Sequence, residues 1–319
     1  MSDIDYLLWW QNVREMTGHR FDVVAWHLSD IGNWFESFFV PAVVYWAVDR
    51  RTGVFCNLAR NMALVFTQFL KTSICAYRPW VRDVRIVPIK DALLSATGFS
   101  FPSGHTVNVT GVFGGLAMCW KNTAFRCFAV FLIVLIGVSR NFLGVHTPQD
   151  VLGGFAVAIF ALLLMRRIAL DLERHPEREA RYLWGGVAAG AALLVFSLFR
   201  EPVIRDTMPK IDSFKIVIDD YRCVGCWLGS LAGWHLERRF VRFETTGVRL
   251  VRRILRGGLG ALVMLVVVFP VFYWIERRLG KHWGGAAGMF VVQMYIMLVW
   301  PWVMKRFSLF NSWESEKEV

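Results

Sequence analysis

The sequence has little charge and few cysteines for its length. Charged residues make up 19% of the 319 residues and hydrophobic residues 55%, whereas typical soluble domains have about 25% and about 45–50%. The high apolar and aromatic content excludes a disordered chain. Six cysteines are too sparse for a disulfide scaffold. The first ten residues, MSDIDYLLWW, lack the basic start of a signal peptide, so we expect targeting to depend on internal membrane spans.

Long apolar runs predict an all-α fold, a polytopic integral membrane helical bundle with about nine transmembrane helices. Each run is flanked by polar or basic residues. The runs lie near residues 35–49, 54–72, 104–120, 124–139, 149–167, 182–199, 221–237, 257–276 and 284–304.

Residues 5–30 have a different pattern. Tyr6, Trp9, Trp10 and Val13 recur near helical spacing among polar residues. This pattern predicts an N-terminal interfacial amphipathic helix, the alternative being a loose surface segment. We therefore expect an interfacial segment (1–34), a core that carries the motifs described below (35–180) and a set of C-terminal transmembrane helices (181–319).

The basic residues lie mainly in alternate loops between the spans. The net charge is +11, which suits an anionic partner such as nucleic acid, lipid or an anionic substrate. The positions favour membrane lipids and exclude a nucleic-acid face, because the residues flank spans: Arg50, Arg51, Lys121, Arg126, Arg166, Arg167, Arg238 and Arg239. The positive-inside rule places these loops in the cytoplasm. The N-terminus and residues 73–103 and 140–148 are then outside, and the C-terminus is inside.

Three cations on the outer side need an anionic partner. Lys71, Arg78 and Arg140 lie near span ends, where an unpaired charge is costly, and few acidic residues are close to them in sequence. A bound phosphate group would supply the negative charge, because arginine offers a planar fork to phosphate oxygens and lysine a point charge. We predict a phosphate-binding site from these residues.

The third span begins beside that site. Ser103 suits a helix N-cap, and Gly104 would let backbone N–H groups approach an anion. His105 falls in the first turn of the span, where we predict that it acts as a general acid on a leaving oxygen. Ordinary capping is the simpler interpretation of such a segment taken alone.

The fifth span begins with a second helix start. Thr147 suits its N-cap and Pro148 its first position, so the carboxylate of Asp150 can reach back over the cap. A carboxylate that is hydrogen-bonded to one imidazole nitrogen leaves the other nitrogen free to attack an electrophile. We predict His146 as the nucleophile and Asp150 as its orienting group.

These motifs resemble the type 2 phosphatidic acid phosphatase superfamily. Its pattern is K-x6-RP, then PSGH, then SR-x5-H-x3-D, and the sequence matches every fixed position. The matching residues are Lys71, Arg78, Pro79, Pro102, Ser103, Gly104, His105, Ser139, Arg140, His146 and Asp150. The resemblance covers about residues 54–167.

The resemblance implies a metal-independent phosphatase without a cofactor. His146 would form a phosphohistidine, and Lys71, Arg78 and Arg140, helped by Ser103 and Gly104, would bind the phosphoryl group. The substrate would be a phosphorylated lipid, such as a polyprenyl diphosphate, a phosphatidate-type lipid or a sphingoid phosphate. We expect a bacterial cytoplasmic membrane with the site on the non-cytoplasmic face, or the endoplasmic reticulum membrane with a luminal site in a eukaryote.

Several alternatives remain open. The nine-span layout is similar to the glucose-6-phosphatase branch, which implies a sugar phosphate as the alternative substrate. A phosphotransferase would use the same intermediate and pass the phosphoryl group to an alcohol. A non-catalytic lipid transporter or receptor is disfavoured by the intact His105, His146 and Asp150. The sequence does not indicate an oligomeric state.

Overall fold

The computed structural model describes residues 2–93, 96, 98–208 and 213–307. Over these ranges the chain consists of helices and loops and contains no β-strand, which agrees with the all-α prediction. The predicted cytoplasmic C-terminus, residues 312–319, lies outside the described residues.

The helices are numbered in chain order. They are α1 (Asp3–Met16), α2 (Asp22–Asp30), α3 (Trp34–Val43), α4 (Arg50–Ile74), α5 (Pro79–Arg82), α6 (Lys90–Leu93), α7 (Gly104–Val109), α8 (Gly115–Cys119), α9 (Thr123–Phe142), α10 (Pro148–Arg174), α11 (Glu179–Thr207), α12 (Ser213–Leu236), α13 (Leu250–Val263), α14 (Phe269–Leu279), α15 (Lys281–Met294) and α16 (Trp300–Arg306). Short π-helical segments continue several of them, at Val44–Val48, Thr110–Gly114, Glu237–Val241, Met264–Val268 and Tyr295–Val299.

Five helical stretches in the described ranges are long and apolar enough to cross a membrane. They are Thr123–Phe142, Pro148–Arg174, Pro176–Thr207, Leu250–Leu279 and Lys281–Arg306, and they coincide with five of the predicted spans. Nine spans are not confirmed. The run at 35–49 forms a shorter apolar helix, Ser37–Val48, and the run at 104–120 is divided among α7, a π-helical segment and α8.

The helix α4, which contains the predicted span 54–72, is not among the five stretches. It is continuous over 25 residues, yet it carries polar side chains that are buried inside the protein. Arg60 is fully buried, its Nη1 donates to Asn61 Oδ1 at 2.8 Å, and its guanidinium carbon lies 4.3 Å from the centroid of the Phe38 ring. Because these polar groups find partners within the protein, they lower the mean hydropathy without exposing charge.

The N-terminal segment is two helices, so the single helix predicted for residues 5–30 is not confirmed. Ser2 and Asp5 form a reciprocal capping box at the start of α1. The chain then reverses through Gly18 and His19, which both have positive φ, a conformation that favours glycine. The placement of α1 at a membrane interface stays a prediction.

Contacts divide the chain into two compact units. The first comprises Met1–Ser37, Met62–Leu163 and Val195–Asp219, and the second comprises Phe38–Asn61, Leu164–Leu194 and Asp220–Val319. Each unit therefore combines separate stretches of the chain. The division into three consecutive regions stays a prediction.

In the first unit, the N-terminal helices pack on the loop that follows Arg78. The ring centroids of Trp10 and Phe142 are 5.5 Å apart. Arg14 is buried, pairs with Asp22 at 3.2 Å and donates to the carbonyl oxygen of Val87 at 3.1 Å. These contacts join α1 and α2 to the part of the chain that carries the predicted motifs.

In the second unit, buried aromatic side chains have their polar atoms bonded to backbone. Tyr45 and Trp46 donate to the carbonyl oxygens of Met297 and Ile296 at 3.2 and 2.9 Å. Such bonds remove the cost of burying a hydroxyl or indole N–H in an apolar interior.

Candidate active site

The first unit brings the three predicted motifs together. Arg78 of the first motif donates through Nη1 to His146 Nε2 of the third at 2.9 Å. Ser103 of the second motif donates its backbone N–H to the carbonyl oxygen of Asp150 at 2.9 Å. These two contacts join residues that are distant in sequence.

His146 lies in the loop between α9 and α10 and is 1% exposed. Because an arginine guanidinium only donates hydrogen bonds, its contact with Arg78 makes Nε2 the acceptor and leaves the proton of the neutral ring on Nδ1. Nδ1 lies 3.5 Å from Asp150 Oδ2. Burial, together with the charge of Arg78, lowers the pKa of His146 well below its ordinary value, so the ring is neutral at pH 7. The Nε2 lone pair thus faces Arg78, and the Nδ1 side of the ring faces Asp150.

Asp150 occupies the third position of α10, as the sequence predicts. Its Oδ2 accepts from the backbone N–H of Thr147 at 2.7 Å, and its own N–H donates to Thr147 Oγ1 at 3.3 Å. This reciprocal pair is a capping box, so the residue that faces the imidazole is also locked into the helix start. The predicted helix start at Thr147 and Pro148 is confirmed.

Ser100 is a third group on this carboxylate. Its hydroxyl donates to Asp150 Oδ2 at 2.6 Å and lies 3.5 Å from His146 Nδ1. The sequence analysis missed it, because a serine two residues before Pro102 has no spacing signal relative to Asp150. The carbonyl oxygen of His146 is also held, by Asn141 Nδ2 at 2.9 Å.

Two of the three cations, Arg78 and Lys71, donate hydrogen bonds to backbone carbonyls. Arg78 donates through Nε to Gly98 and through Nη1 to Val145, both at 3.1 Å, and Lys71 donates to Phe99 at 2.8 Å. Burial lowers the pKa of Arg78 to about 10, so its guanidinium remains charged at pH 7.

Arg140 differs from the other two cations. It is 1% exposed, and its Nη1 donates to the hydroxyl of Ser29 on α2. Its Nε and Nη2 are buried and have no hydrogen-bond partner among the residues that the structure describes. A buried charge with unsatisfied donors is costly, and an anion bound there would satisfy them. The sequence analysis did not identify Ser29.

The second motif supplies another unsatisfied atom. His105 Nε2 is buried and, within the described ranges, has no hydrogen-bond partner. A Cβ added at Gly104 would meet nothing within 4 Å, so there is open space beside the backbone here. Ser103 precedes the helix as predicted, but its side chain does not cap the backbone; its hydroxyl accepts from Thr106 Oγ1 at 3.0 Å.

A close helix approach joins the second and third motifs. A Cβ added at Gly154 on α10 would lie 2.9 Å from both the carbonyl oxygen of Ser103 and the Cβ of Thr106. Glycine is therefore required at this position for α10 to pack against the start of α7.

The residues described do not include a group of three or more His, Cys, Asp or Glu side chains that could hold a metal ion. The site instead combines imidazoles with cations, a donor set that suits an anion. The expectation of metal-independent chemistry stays a prediction.

Comparisons with known proteins point to one superfamily. A family model described as PAP2 superfamily matches residues 54–174, and one described as PAP2 superfamily phosphatase, transmembrane extension, matches residues 221–312. No solved structure matches the chain.

Three curated relatives are named for lipid phosphates or diphosphates. Phosphatidylglycerophosphatase B of Bacillus subtilis is 32% identical over 110 residues, which cover 32% of this chain and 53% of that protein. Lipid phosphate phosphatase delta of Arabidopsis thaliana is 28% identical, over 40% of this chain and 33% of its own length. Undecaprenyl-diphosphatase BcrC of Bacillus subtilis is 29% identical, over 40% of this chain and 62% of its own length.

The chain thus spans between a third and about three fifths of the length of these relatives. The apolar helices and the matched transmembrane extension identify an integral membrane protein. The two family matches cover both the segment that carries the three motifs and the later helices, and the chain belongs to the PAP2 superfamily.

Proposed function

We propose that the chain is a metal-independent membrane phosphatase that hydrolyses a lipid phosphomonoester or diphosphate through a phosphohistidine. The observation that carries this proposal is the set of buried, unsatisfied groups, Arg140 Nε and Nη2 and His105 Nε2, beside the oriented lone pair of His146. Cations with free donors and a neutral imidazole are what transfer of a phosphoryl group requires.

In the first half-reaction, His146 Nε2 attacks phosphorus and the bond between phosphorus and the leaving oxygen breaks. Arg78 Nη1 gives up Nε2 and donates to a phosphoryl oxygen, while Arg140 donates through Nε and Nη2 and Lys71 supplies further positive charge. Ser103 and Gly104 line the open space beside the phosphoryl group. Protonated His105 transfers its proton to the leaving oxygen.

In the second half-reaction, His105 accepts a proton from water as the water oxygen attacks phosphorus. The bond between phosphorus and Nε2 breaks, inorganic phosphate leaves, and His146 returns to the neutral state. Asp150 holds Nδ1–H throughout and stabilises the positive charge that develops on the ring.

Two observations favour a lipid substrate. The names of all three relatives refer to lipid phosphates or diphosphates. On α9, the helix that carries Arg140, apolar side chains such as Phe128, Phe131 and Val134 are at least 50% exposed and follow one another at helical spacing, which is typical of a lipid-facing surface. A headgroup at the site could then keep its acyl or prenyl chain in the bilayer.

The test is phosphate release by the purified full-length chain in detergent. The panel contains a polyprenyl diphosphate, phosphatidylglycerol phosphate, phosphatidate, sphingosine phosphate and glucose 6-phosphate. We expect turnover of at least one lipid, loss of turnover in His146→Ala, and unchanged turnover in EDTA. Turnover of glucose 6-phosphate alone would replace the lipid assignment, and loss in EDTA that a divalent ion restores would contradict the mechanism.

A trapping experiment tests the intermediate. An aryl phosphate with an acidic leaving group needs little protonation, so His105→Ala should still be phosphorylated but slow to hydrolyse. We expect acid-labile, base-stable label on His146 in that variant and none in His105→Ala/His146→Ala. Added alcohols separate a phosphotransferase from a hydrolase, because transfer would yield a new phosphate ester.

We also propose that the site faces away from the cytoplasm, since the basic loops described above favour that orientation. Val84, which follows the first motif, is 90% exposed, and Lys121 lies in a predicted cytoplasmic loop. With Cys119 and Cys127, the exposed cysteines, changed to serine, Val84→Cys should react with an impermeant maleimide in intact cells. Lys121→Cys should react only after permeabilisation, and the reverse pattern would refute the orientation.

A further inference from the structure

The N-terminal helices α1 and α2 reach the site through Ser29. This residue is 1% exposed, lies in the last turn of α2 and accepts a hydrogen bond from Arg140 Nη1. It lies outside residues 54–174 and 221–312, which the two family models match. The contact is therefore a property of this chain that its family motifs do not contain.

Ser29 is the one hydrogen-bond partner of the Arg140 side chain in the described part of the chain. A guanidinium is planar and rigid, so a bond that fixes Nη1 also fixes the directions of Nε and Nη2. Those are the two nitrogens left for a phosphoryl group. Without this bond, the long side chain would have to be ordered by the ligand itself, which lowers affinity.

The chemistry of a hydroxyl suits this position. A carboxylate at hydrogen-bond distance would orient Arg140 equally well but would pair with its charge, whereas a serine oxygen accepts a hydrogen bond and is itself neutral. Ser29 thus orients the guanidinium without forming an ion pair that would compete with the phosphoryl group.

A second contact holds the end of α2 against the site. A Cβ added at Gly32 would lie 2.9 Å from the carbonyl oxygen of His105, and Asn108 Nδ2 donates to the carbonyl oxygen of Gly32 at 3.2 Å. The segment that follows Ser29 therefore packs directly on the helix that carries the predicted general acid.

We propose that Ser29 is a positioning residue for phosphoryl transfer and that it acts through Arg140. This inference rests on the proposed function, and it extends the working site to the N-terminal helices. Ser29 need not touch the substrate; it fixes the two guanidinium nitrogens that do.

A double-mutant cycle tests the proposal, because it separates an effect through Arg140 from a general loss of structure. Ser29→Ala should lower kcat/KM about tenfold, the usual scale for one hydrogen bond to a charged group. In an Arg140→Ala background, the same substitution should have no further effect. Ser29→Thr, which keeps the hydroxyl, should recover most of the loss.

Ser230→Ala is the matched control. Ser230 is fully buried in α12, and its hydroxyl donates to Trp227 O of the same helix at 2.8 Å. Removing it deletes a buried serine hydroxyl that is not part of the proposed site, so kcat/KM should not change. A tenfold loss in this control would show that the assay reports general destabilisation.

Two outcomes would overturn the proposal. They are a Ser29→Ala variant within twofold of the wild type, or an equal loss in the wild-type and Arg140→Ala backgrounds. Calorimetric binding of inorganic phosphate to the same four proteins gives a readout that does not need turnover. If phosphate binding shows the coupling between Ser29 and Arg140 but no substrate is turned over, only the proposed phosphatase activity is refuted. If the wild type does not bind phosphate, both the proposed function and the role of Ser29 are refuted.

Discussion

Arg140 provides the sharpest prediction, because its substitution should lower activity strongly and change stability little. The guanidinium is 1% exposed, with Nε and Nη2 unsatisfied by any described residue. The substitution considered is Arg140→Met, which keeps a long, flexible chain and removes the charge.

The loss of activity follows from the two free nitrogens. A hydrogen bond to a charged group contributes about 1.5–3 kcal/mol, so two such bonds to phosphoryl oxygens contribute about 3–6 kcal/mol. Since about 1.4 kcal/mol corresponds to a factor of ten, kcat/KM should fall by about 10²- to 10⁴-fold.

The stability should not fall with it. Replacing buried charges by apolar side chains is neutral or stabilising by about 1–4 kcal/mol in other proteins, and the orphaned Ser29 hydroxyl costs about 1–3 kcal/mol. The gain and the cost are of similar size, so the apparent Tm of Arg140→Met without added phosphate should stay close to that of the wild type.

Added phosphate should also distinguish the Tm of the wild type from that of Arg140→Met. A ligand at a hundred times its Kd stabilises the folded state by about 2.7 kcal/mol, so phosphate should raise the Tm of the wild type and leave that of Arg140→Met unchanged. The assay is thermal unfolding in detergent with and without phosphate, beside steady-state phosphate release.

Arg126→Met is the matched control on the same helix. Arg126 is exposed, and its Nε donates to the carbonyl oxygens of Ala117 and Trp120, so its loss should leave kcat/KM and the phosphate effect intact. An Arg140→Met variant with wild-type kcat/KM, or with the phosphate effect retained, would refute the placement of Arg140 in the site.

Three further predictions concern His146, Ser100 and Gly32. Burial and the charge of Arg78 lower the pKa of His146 from its ordinary 6.5, and the neutral form attacks. The fall of kcat/KM at acid pH, corrected for ionisation of the free substrate, should therefore have its midpoint below pH 6.5. A midpoint above pH 6.5 would contradict the neutral state assigned to His146. Ser100→Ala removes the 2.6 Å hydrogen bond to Asp150 and should lower kcat about tenfold with little change in KM, while Ser100→Thr restores it; a change confined to KM would count against a role in orienting the carboxylate. Gly32→Ala forces a Cβ to 2.9 Å from the backbone of His105 and should lower both Tm and kcat/KM, whereas Gly185→Ala, where a Cβ would meet nothing within 4 Å, should lower neither.

The parts of the site that the sequence predicts are the local ones. Thr147, Pro148 and Asp150 define a helix start whose geometry is fixed within four residues, so the capping box was predictable and is confirmed. Ser103 shows the limit even at short range: it stands in the predicted position, yet its hydroxyl bonds to Thr106 and not to the backbone. A propensity gives the position of a cap and leaves the choice of partner to neighbouring side chains.

The apolar runs in the sequence and the candidate membrane-crossing helices coincide where a helix is long and carries few charges, as in the five stretches given above. The helix α4, which contains the predicted span 54–72, is not among them, because its buried polar side chains lower its mean hydropathy. The buried partners of Arg60 and Asn57 include Phe38 on α3 and Gln293 on α15, and no local pattern contains that information.

The contacts that could not be predicted are those that decide how the three cations differ. From the sequence, Lys71, Arg78 and Arg140 are equivalent charges near span ends. In the fold, backbone carbonyls bind Lys71 and Arg78, while Arg140 has a single serine. Because the path of the chain fixes the backbone carbonyls, Lys71 and Arg78 have hydrogen-bond partners that do not depend on an anion. The unsatisfied donors of Arg140 make it the cation for which an anion brings the largest gain, and the N-terminal helix that supplies Ser29 controls its orientation.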